Sequence, residues 1–464
     1  MRPLTLQEMV VAIAGRVYGQ ITIPRVTSVS TDSRDVAPGA IFFAIRGERH
    51  DGHAFVEAAL AKGATAAVVS DLSGVPESLR ACGQLIQVTD TVEALGKLAA
   101  WYRRQFAAQV IAVAGSNGKT TTKDMIAAAL SAGRRGRAAK ASFNNAIGVP
   151  LTLLAVEPAD EFVVVEIGTN HPGEVMTLGR IAQPDMAILT SIGEEHLEFF
   201  GDIQSVAREE YALLGALRRR GFVAVSCQAA EHAPARIKSD FTILTYGLEE
   251  QADLRATDLS STLEGQRFKV NGRHEYLLPV LGRHNVNNAL AAVAVGTRFR
   301  MTPDEIASGL RSARLPPMRL ERSNIGPFVL INDAYNANPS SMRAALAVMD
   351  QLREVGRKVL VLGDMKELGP ETGRCHRTLG QDAGRSTAQV IVAVGSYSRH
   401  VCDGATAACG TTKRIYQFAT VEMLSEKIGE LLEPGDVILL KASRGVRLER
   451  LIGPIEQAAM ATAT

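Results

Sequence analysis

The sequence predicts an α/β protein of three domains: a small N-terminal α/β domain, a central P-loop domain built on a parallel sheet, and a C-terminal Rossmann-like α/β domain. Three observations predict it. At 464 residues the chain exceeds what one hydrophobic core usually holds. From residue 110 onward, short apolar runs alternate with helix-compatible segments, the rhythm of strands joined by helical crossovers. Between the first such run, Val110-Ile111-Ala112-Val113, and a helix-compatible stretch over 119–130 lies the glycine-rich turn Gly115-Ser116-Asn117-Gly118.

Residues 1–106 form the first domain. Thr5 and Glu8 have the spacing of a capping box, and the interrupted apolar pattern around them is unlike a secretory leader. Strands are expected over 40–45 and 66–69, with a helix between them that ends near Lys62-Gly63, where glycine suits the residue past a helix end. A helix over 93–106 leads into the next domain. Polar residues gather over 30–34 and 46–53, beside strand ends, where loops carry ligands more often than packing.

Residues 107–317 form the second domain, with strands expected over 110–114, 162–167, 186–191, 222–226 and 241–245. The unbroken run Phe162-Val163-Val164-Val165 is what a strand buried on both faces looks like. Around 268–270 and 276–278 the pattern shortens and alternates, which predicts antiparallel strands. A helix over 286–298 follows. Thr302-Pro303-Asp304-Glu305 then opens another, combining an N-cap, a proline at the first helical position and a capping-box glutamate. Leu315-Pro316-Pro317 breaks the chain and sets the boundary. Residues 318–464 alternate again, with strands over 328–333, 358–363, 389–394 and 436–441 and helices over 340–354, 420–432 and 446–458 among those between, a second doubly wound sheet without a second phosphate loop.

Composition narrows the classes of function. With 46% hydrophobic and 22% charged residues the chain has ample apolar surface for packed cores, which excludes a disordered or fibrous protein. A net charge of +2 gives no electrostatic reason to bind nucleic acid or a membrane surface. The five cysteines, Cys82, Cys227, Cys375, Cys402 and Cys409, are odd in number and scattered, without C-x-x-C spacing; this argues against a disulfide framework and a zinc site, and a reducing cytoplasm is expected. No run reaches the about 18 apolar residues of a membrane span, so none is expected. Nothing demands a partner subunit, and a monomer is expected.

The glycine-rich turn carries the first chemistry. Between a strand and a helix, backbone N–H groups of such a turn point at an anion and the helix N-terminus adds partial positive charge. Gly115, Ser116, Asn117, Gly118, Lys119, Thr120 and Thr121 are therefore expected to bind ATP or GTP, with Lys119 reaching the β- and γ-phosphates and the Thr120 hydroxyl holding Mg²⁺. The common P-loop has a glycine six residues before its lysine; here that position is Val113, so the loop is a shortened form. Ligands of an open parallel sheet bind at the carboxyl ends of its strands. Glu166 ends the run 162–166 and offers Mg²⁺ the oxygen donor that this hard cation prefers. His196, in Glu194-Glu195-His196-Leu197-Glu198, has two readings: ligand to a second divalent ion, or a hydrogen-bonding residue of its loop.

Several motifs in order resemble one family over essentially the whole chain. The shortened loop, Asn144-Asn145-Ala146-Ile147-Gly148-Val149-Pro150, Glu166, His196 and Gly282-Arg283-His284-Asn285-Val286-Asn287-Asn288 are similar to those of the Mur ligases, ATP-dependent enzymes that build the stem peptide of peptidoglycan. Within the family, Asp333-Ala334-Tyr335-Asn336-Ala337-Asn338-Pro339, Leu362-Gly363-Asp364-Met365-Lys366-Glu367-Leu368-Gly369 and Lys441-Ala442-Ser443-Arg444-Gly445 resemble the dipeptide-adding member. The competing readings are another Mur ligase or a folylpolyglutamate synthase, and, from a different class, a P-loop ATPase that needs no acceptor; the motif over 333–339 favours the dipeptide-adding enzyme.

The resemblance implies an ATP-dependent ligase with D-Ala-D-Ala and UDP-N-acetylmuramoyl-tripeptide (UDP-MurNAc-tripeptide) as substrates and an acyl phosphate between them. It implies catalytic roles for Lys119, Glu166 and His196, with Mg²⁺ at Thr120, Glu166 and His196. His284, Asn285 and Asn288 would lie near the adenine, Asp333 at the ribose and Arg319 at the phosphates. Thr31, Asp32, Ser33, Arg34 and the segment from Gly47 to His53 would hold the uridine diphosphate, Asn144 and Asn145 the sugar or diphosphate, Ser443 and Arg444 would face the peptide end, and Tyr335 and Asn336 would bind substrate. Contacts from both sides of the second boundary imply closure on substrates. Two departures stand out. The family has Gly-Arg where this chain has Met318-Arg319, and it usually carries a carbamylated lysine where this chain, which has no lysine between Lys140 and Lys238, has Glu210. Glu210 is expected to supply that metal-holding carboxylate directly.

Overall fold

The computed structural model describes the chain except residues 19–24, 48–49, 74, 82–83, 219–220, 263, 315, 353–355 and 462–464. Cys82, Leu315 and the Glu48-Arg49 part of the 46–53 segment thus lie outside the described residues.

Among the described residues, three sheets follow one another along the chain. The first has five strands in the order Arg16–Tyr18, Leu85–Gln87, Ala66–Val69, Ala40–Phe43, Ser28–Ser30, parallel except for the first. The strand expected over 40–45 stops at Phe43 because the chain then folds back, bridging Arg46 to Asp51 and closing with Gly52 N–H donating to the Ile45 carbonyl. The capping box of Thr5 and Glu8 forms, and so does that of Thr302 and Glu305, each worth about 1 kcal/mol.

The central sheet has nine strands. Its order is His274–Leu278, Gly265–Val270, Leu254–Thr262, Ile243–Gly247, Phe222–Ser226, Met186–Leu189, Gln109–Ala114, Phe162–Glu166, Gly136–Ala138. The first three pair antiparallel, as the shortened alternation implied, and the rest are parallel. The two-residue period of a strand divides the central one between two cores. Val110, Ala112 and Ala114 join a cluster that also holds Leu4, Met9, Leu95 and Leu98 of the first domain; Ile111 and Val113 join another with Met125, Ile126 and Leu290 on the opposite face. The helix Thr91–Arg103 seals the first side, with Tyr102 donating to the Val156 carbonyl at 2.7 Å and buried Arg103 pairing with Asp185 at 2.6 Å. The first two domains therefore share one apolar core.

The third sheet has the order Glu321–Ile325, Phe328–Asn332, Val437–Lys441, Lys358–Gly363, Val390–Val394, Arg414–Phe418, with only the first pair antiparallel. Its four anticipated strands lie within one residue of their expected ends. The helix expected over 420–432 divides into Val421–Ser425 and Ile428–Leu431. That expected over 446–458 begins only at Ile452, because Arg447 takes a left-handed backbone with φ +61° that an α-helix does not accept. Among the described residues, no helix is long and apolar enough to cross a membrane.

Candidate active site

The phosphate loop follows Gln109–Ala114 and opens the helix Lys119–Ser131, at the carboxyl end of the sheet. Gly115 has φ +121° and a Cβ there would stand 2.5 Å from Thr190 Oγ1 and 2.8 Å from the Ser191 carbonyl oxygen; Gly118 has φ +81°, and a Cβ there would stand 2.7 Å from Asn288 Oδ1. Only glycine fits either position. The loop amides are braced rather than free: Gly115 N–H donates to Glu210 Oε2 at 2.7 Å, Ser116 N–H to the Ser191 carbonyl at 2.8 Å and Asn117 N–H to Ser191 Oγ at 2.9 Å. Among the described residues, no side chain caps the helix that starts at Lys119. Its first-turn amides are thus the donors left for an anion.

Lys119 folds over the loop, donating to the Gly115 carbonyl at 2.5 Å and lying 3.8 Å from Glu195 Oε2. Burial works against its charge, but Glu195, Glu210 and Glu166 outweigh burial and hold the ammonium above its ordinary pKa. Thr120, buried, accepts from Arg319 Nη2 at 3.2 Å and lies 3.3 Å from Ser142 Oγ. Thr121 is buried beside it on the cavity wall. Glu166 accepts from Asn144 Nδ2 at 2.9 Å through Oε1, and its buried Oε2 has no partner among the described residues. Asn145 Oδ1 accepts from the Ile147 and Gly148 amides and so opens the helix Gly148–Leu154. Thr122, Asn288, Asn285 and the Leu281 carbonyl form a buried chain of hydrogen bonds that pins the helix Arg283–Arg298 against the loop helix.

The C-terminal domain reaches the same place. Arg319 lies 4.2 Å from the centre of the Tyr335 ring, and Tyr335 donates to Ser142 at 2.9 Å. Asp333 accepts from Leu320 N–H at 3.1 Å and from Lys441 at 2.5 Å, and Lys441 also binds the Asn336 carbonyl at 3.1 Å. Asn117 donates to Ser340 at 2.8 Å and accepts from Asn338 at 3.0 Å. Ser443 accepts from Lys366 N–H at 3.0 Å, and Arg444 pairs with Glu449 at 2.7 Å. Apart from Glu449, these residues, with Glu166, His196 and His284, wall one cavity of about 1000 Å³ between the two domains. Burial lowers the pKa of His284 and of His196, so both rings favour their neutral form.

Some expected residues do not reach this cavity. Thr31, Asp32, Ser33, Arg34 and Gly47 are not on its wall; Arg34 instead forks onto Asp32 at 2.8 Å and holds that carboxyl below its ordinary range. Glu210, expected at the metal, is absent from the wall as well. The helix Ile203–Tyr211 carries it behind Gly115, where its oxygen accepts the loop amide. Its neighbour Glu209 accepts from Gly173 and Val175 N–H, both at 2.8 Å, so neither glutamate belongs to a solvated helix face.

Glu195 is a site residue that the motifs alone do not single out. It lies on the cavity wall between Lys119 and Glu210, and burial, opposed by Lys119 and reinforced by Glu210, pushes its pKa up to about 8. Its position beside His196 in a charged run was the available signal. Between its ordinary value of 4.5 and about 8, the folded chain keeps a proton that the unfolded chain has lost, so its contribution is complete below that window and declines as pH rises through it. Glu195→Gln is expected to flatten this decline in melting temperature; parallel curves for the two proteins would contradict it.

Comparisons with known proteins agree along the length of the chain. The family model described as Mur ligase middle domain matches residues 113–296, Mur ligase, glutamate ligase domain matches 318–444, and Mur ligase family, catalytic domain matches 25–103. The UDP-N-acetylmuramoyl-tripeptide–D-alanyl-D-alanine ligase of Bacillus subtilis is 36% identical, covering 95% of this chain and 96% of the relative; that of Escherichia coli is 33% identical, covering 98% of each. Among solved structures, MurF from Acinetobacter baumannii superimposes with a TM-score of 0.88 at 32% identity, covering 98% of this chain and 99% of that one. MurF ligase from Thermotoga maritima in complex with ADP gives 0.81 at 25% identity over 94% and 99%.

Proposed function

The chain belongs to the Mur ligase family, and we propose that it uses ATP to join D-Ala-D-Ala to UDP-N-acetylmuramoyl-tripeptide, releasing ADP and phosphate. The observation that carries this reading is the single cavity on which the phosphate loop, the Glu166 carboxylate and the 333–338 and 443–444 segments of the third domain converge. It has room for more than a nucleotide. A P-loop ATPase without an acceptor has no use for the second set of walls.

A carboxylate acylates an amine poorly because oxide would have to leave. Transfer of the γ-phosphoryl group to the terminal tripeptide carboxylate replaces that leaving group with phosphate; the dipeptide amine attacks the acyl phosphate, and the tetrahedral intermediate expels phosphate. The work left to the protein is positioning and charge neutralisation. Lys119 would exchange the Gly115 carbonyl for phosphate oxygens, and Arg319, already at Thr120, would lie against the same anions. Asp333 would take the ribose and His284, Asn285 and Asn288 the adenine side. Asn144, Asn145, Tyr335, Asn336, Ser443 and Arg444 would meet the sugar and peptide, with an arginine fork suited to a carboxylate. Thr31, Asp32, Ser33, Arg34 and Gly47 would hold the uridine diphosphate on the first domain, leaving the tripeptide to extend into the cavity. The proposed divisions are 1–106, 107–317 and 318–464.

Mg²⁺ fits the donors present. Glu166 Oε2 is a buried carboxylate oxygen without a partner among the described residues, and the Thr120 hydroxyl is on the same wall. Among the described residues no three acidic, histidine or cysteine side chains form a cage, which suits an ion that keeps waters and takes the rest of its ligands from phosphates. Thr120 and Glu166 would hold it, with His196 at a second ion; bound there, the ions would neutralise the anions being brought together. We place the enzyme in the cytoplasm, acting as a monomer. ADP release is expected to require UDP-MurNAc-tripeptide and D-Ala-D-Ala together, with single D-amino acids inactive in place of the dipeptide and folate inactive in place of the tripeptide; turnover without the dipeptide, or with folate and an amino acid, would overturn the reading.

A further inference from the structure

His196 is held from across the domain boundary. Its Nδ1 lies 2.5 Å from Oε2 of Glu367, in the segment Met365-Lys366-Glu367-Leu368-Gly369 of the third domain. The chain also touches here through its backbone, with Glu198 N–H donating to the Glu367 carbonyl at 3.5 Å. Both residues sit in the left-handed region, His196 with φ +48° and Glu367 with φ +62°, a conformation that non-glycine residues hold at a cost and that the surrounding structure must enforce. The enforcement is visible around Glu367: Met365 N–H donates to buried His376 Nε2 at 2.9 Å, Lys366 N–H to Ser443 Oγ at 3.0 Å, and Leu368 is buried. The Glu367 side chain itself is half exposed, so apolar packing does not explain its placement.

From this geometry we infer that Glu367 is a positioning residue for the metal-binding form of His196, delivered only when the third domain closes. The inference rests on the ligase reading, in which His196 faces an ion. A carboxylate can only accept, so the Nδ1 atom must carry the proton and donate it; Nε2 is left with its lone pair, the form in which imidazole binds a metal. A carboxylate in this position also fixes the ring plane. The third domain thus supplies the orientation of a ligand that belongs to the second, and ion binding is tied to closure.

The test uses the full chain with a non-hydrolysable ATP analogue and UDP-MurNAc-tripeptide, counting bound Mn²⁺ by electron paramagnetic resonance. The unsubstituted protein is expected to bind two ions. Glu367→Ala is expected to weaken the second about tenfold while leaving the first within about twofold, and Glu367→Gln, whose amide oxygen still accepts, to recover part of the loss. Equal binding of both ions by the alanine variant and the unsubstituted chain would overturn the inference, as would a single ion in the unsubstituted chain. The ligase reading fails separately, through ADP release that ignores D-Ala-D-Ala. A thermal melt of each variant beside the unsubstituted chain shows whether both fold.

Discussion

Lys119→Met is expected to lower the rate of ADP formation by about a thousandfold, the loss seen when one preorganised charge is removed from a site that works by neutralising developing anions. That is about 4 kcal/mol of transition-state stabilisation. Methionine keeps most of the alkyl stem and removes the ammonium, so the comparison isolates charge. The variant is expected to stay folded. The Gly115 carbonyl loses its donor, at about 2 kcal/mol, and the three carboxylates around the lysine lose their cation. They have a way to relax, because Glu195 already keeps its proton up to about 8. Stopped-flow ADP release with a parallel thermal melt checks both halves; a loss under about tenfold would remove Lys119 from the phosphoryl-transfer step.

The difference between what the sequence disclosed and what it concealed follows the range of the interactions. Strands such as Phe162–Glu166 and Lys358–Gly363 are buried on both faces, and burial of that kind writes itself as an unbroken apolar run. Glu321–Ile325 is almost wholly exposed, Leu254–Thr262 alternates with polar residues outward, and Gly136–Ala138 has only three residues; none leaves a local apolar signature. The same holds for the site. The phosphate loop is legible because its glycines, lysine and threonine are contiguous, and Glu166 because it ends a readable strand. Glu367 stands 171 residues from His196 and Tyr335 stands 193 from Ser142, pairings that exist only once two domains meet. Glu210 marks the opposite limit. Its place in the chain was read from a missing lysine, but which way the helix turns its carboxylate depends on how Ile203–Tyr211 packs behind the loop, and no local pattern specifies that.

That carboxylate gives the second large effect. Glu210→Ala is expected to raise the KM for ATP by between about ten- and a hundredfold, since a hydrogen bond to a charged acceptor is worth about 1.5–3 kcal/mol and its loss leaves the Gly115 amide buried without a partner. Gly115 is the residue at which the strand becomes the loop, and it cannot compensate by moving: Thr190 and Ser191 already occupy the space beside it. Freed from Glu210, the segment Gly115-Ser116-Asn117 would lose one of its three amide anchors, and the helix amides beyond it would no longer meet the phosphates at a fixed angle. Glu210→Gln separates this role from direct ligation of an ion. An amide oxygen can accept the Gly115 hydrogen bond as the carboxylate does, so the glutamine variant is expected to bind ATP nearly as the unsubstituted chain does, with an unchanged Mg²⁺ requirement. If the carboxylate held an ion instead, the neutral amide would fail with alanine, and both variants would need more Mg²⁺ at saturating ATP. Titrating Mg²⁺ and ATP against both variants decides the matter, because an anchor under the loop and a ligand on the metal predict opposite behaviour for glutamine.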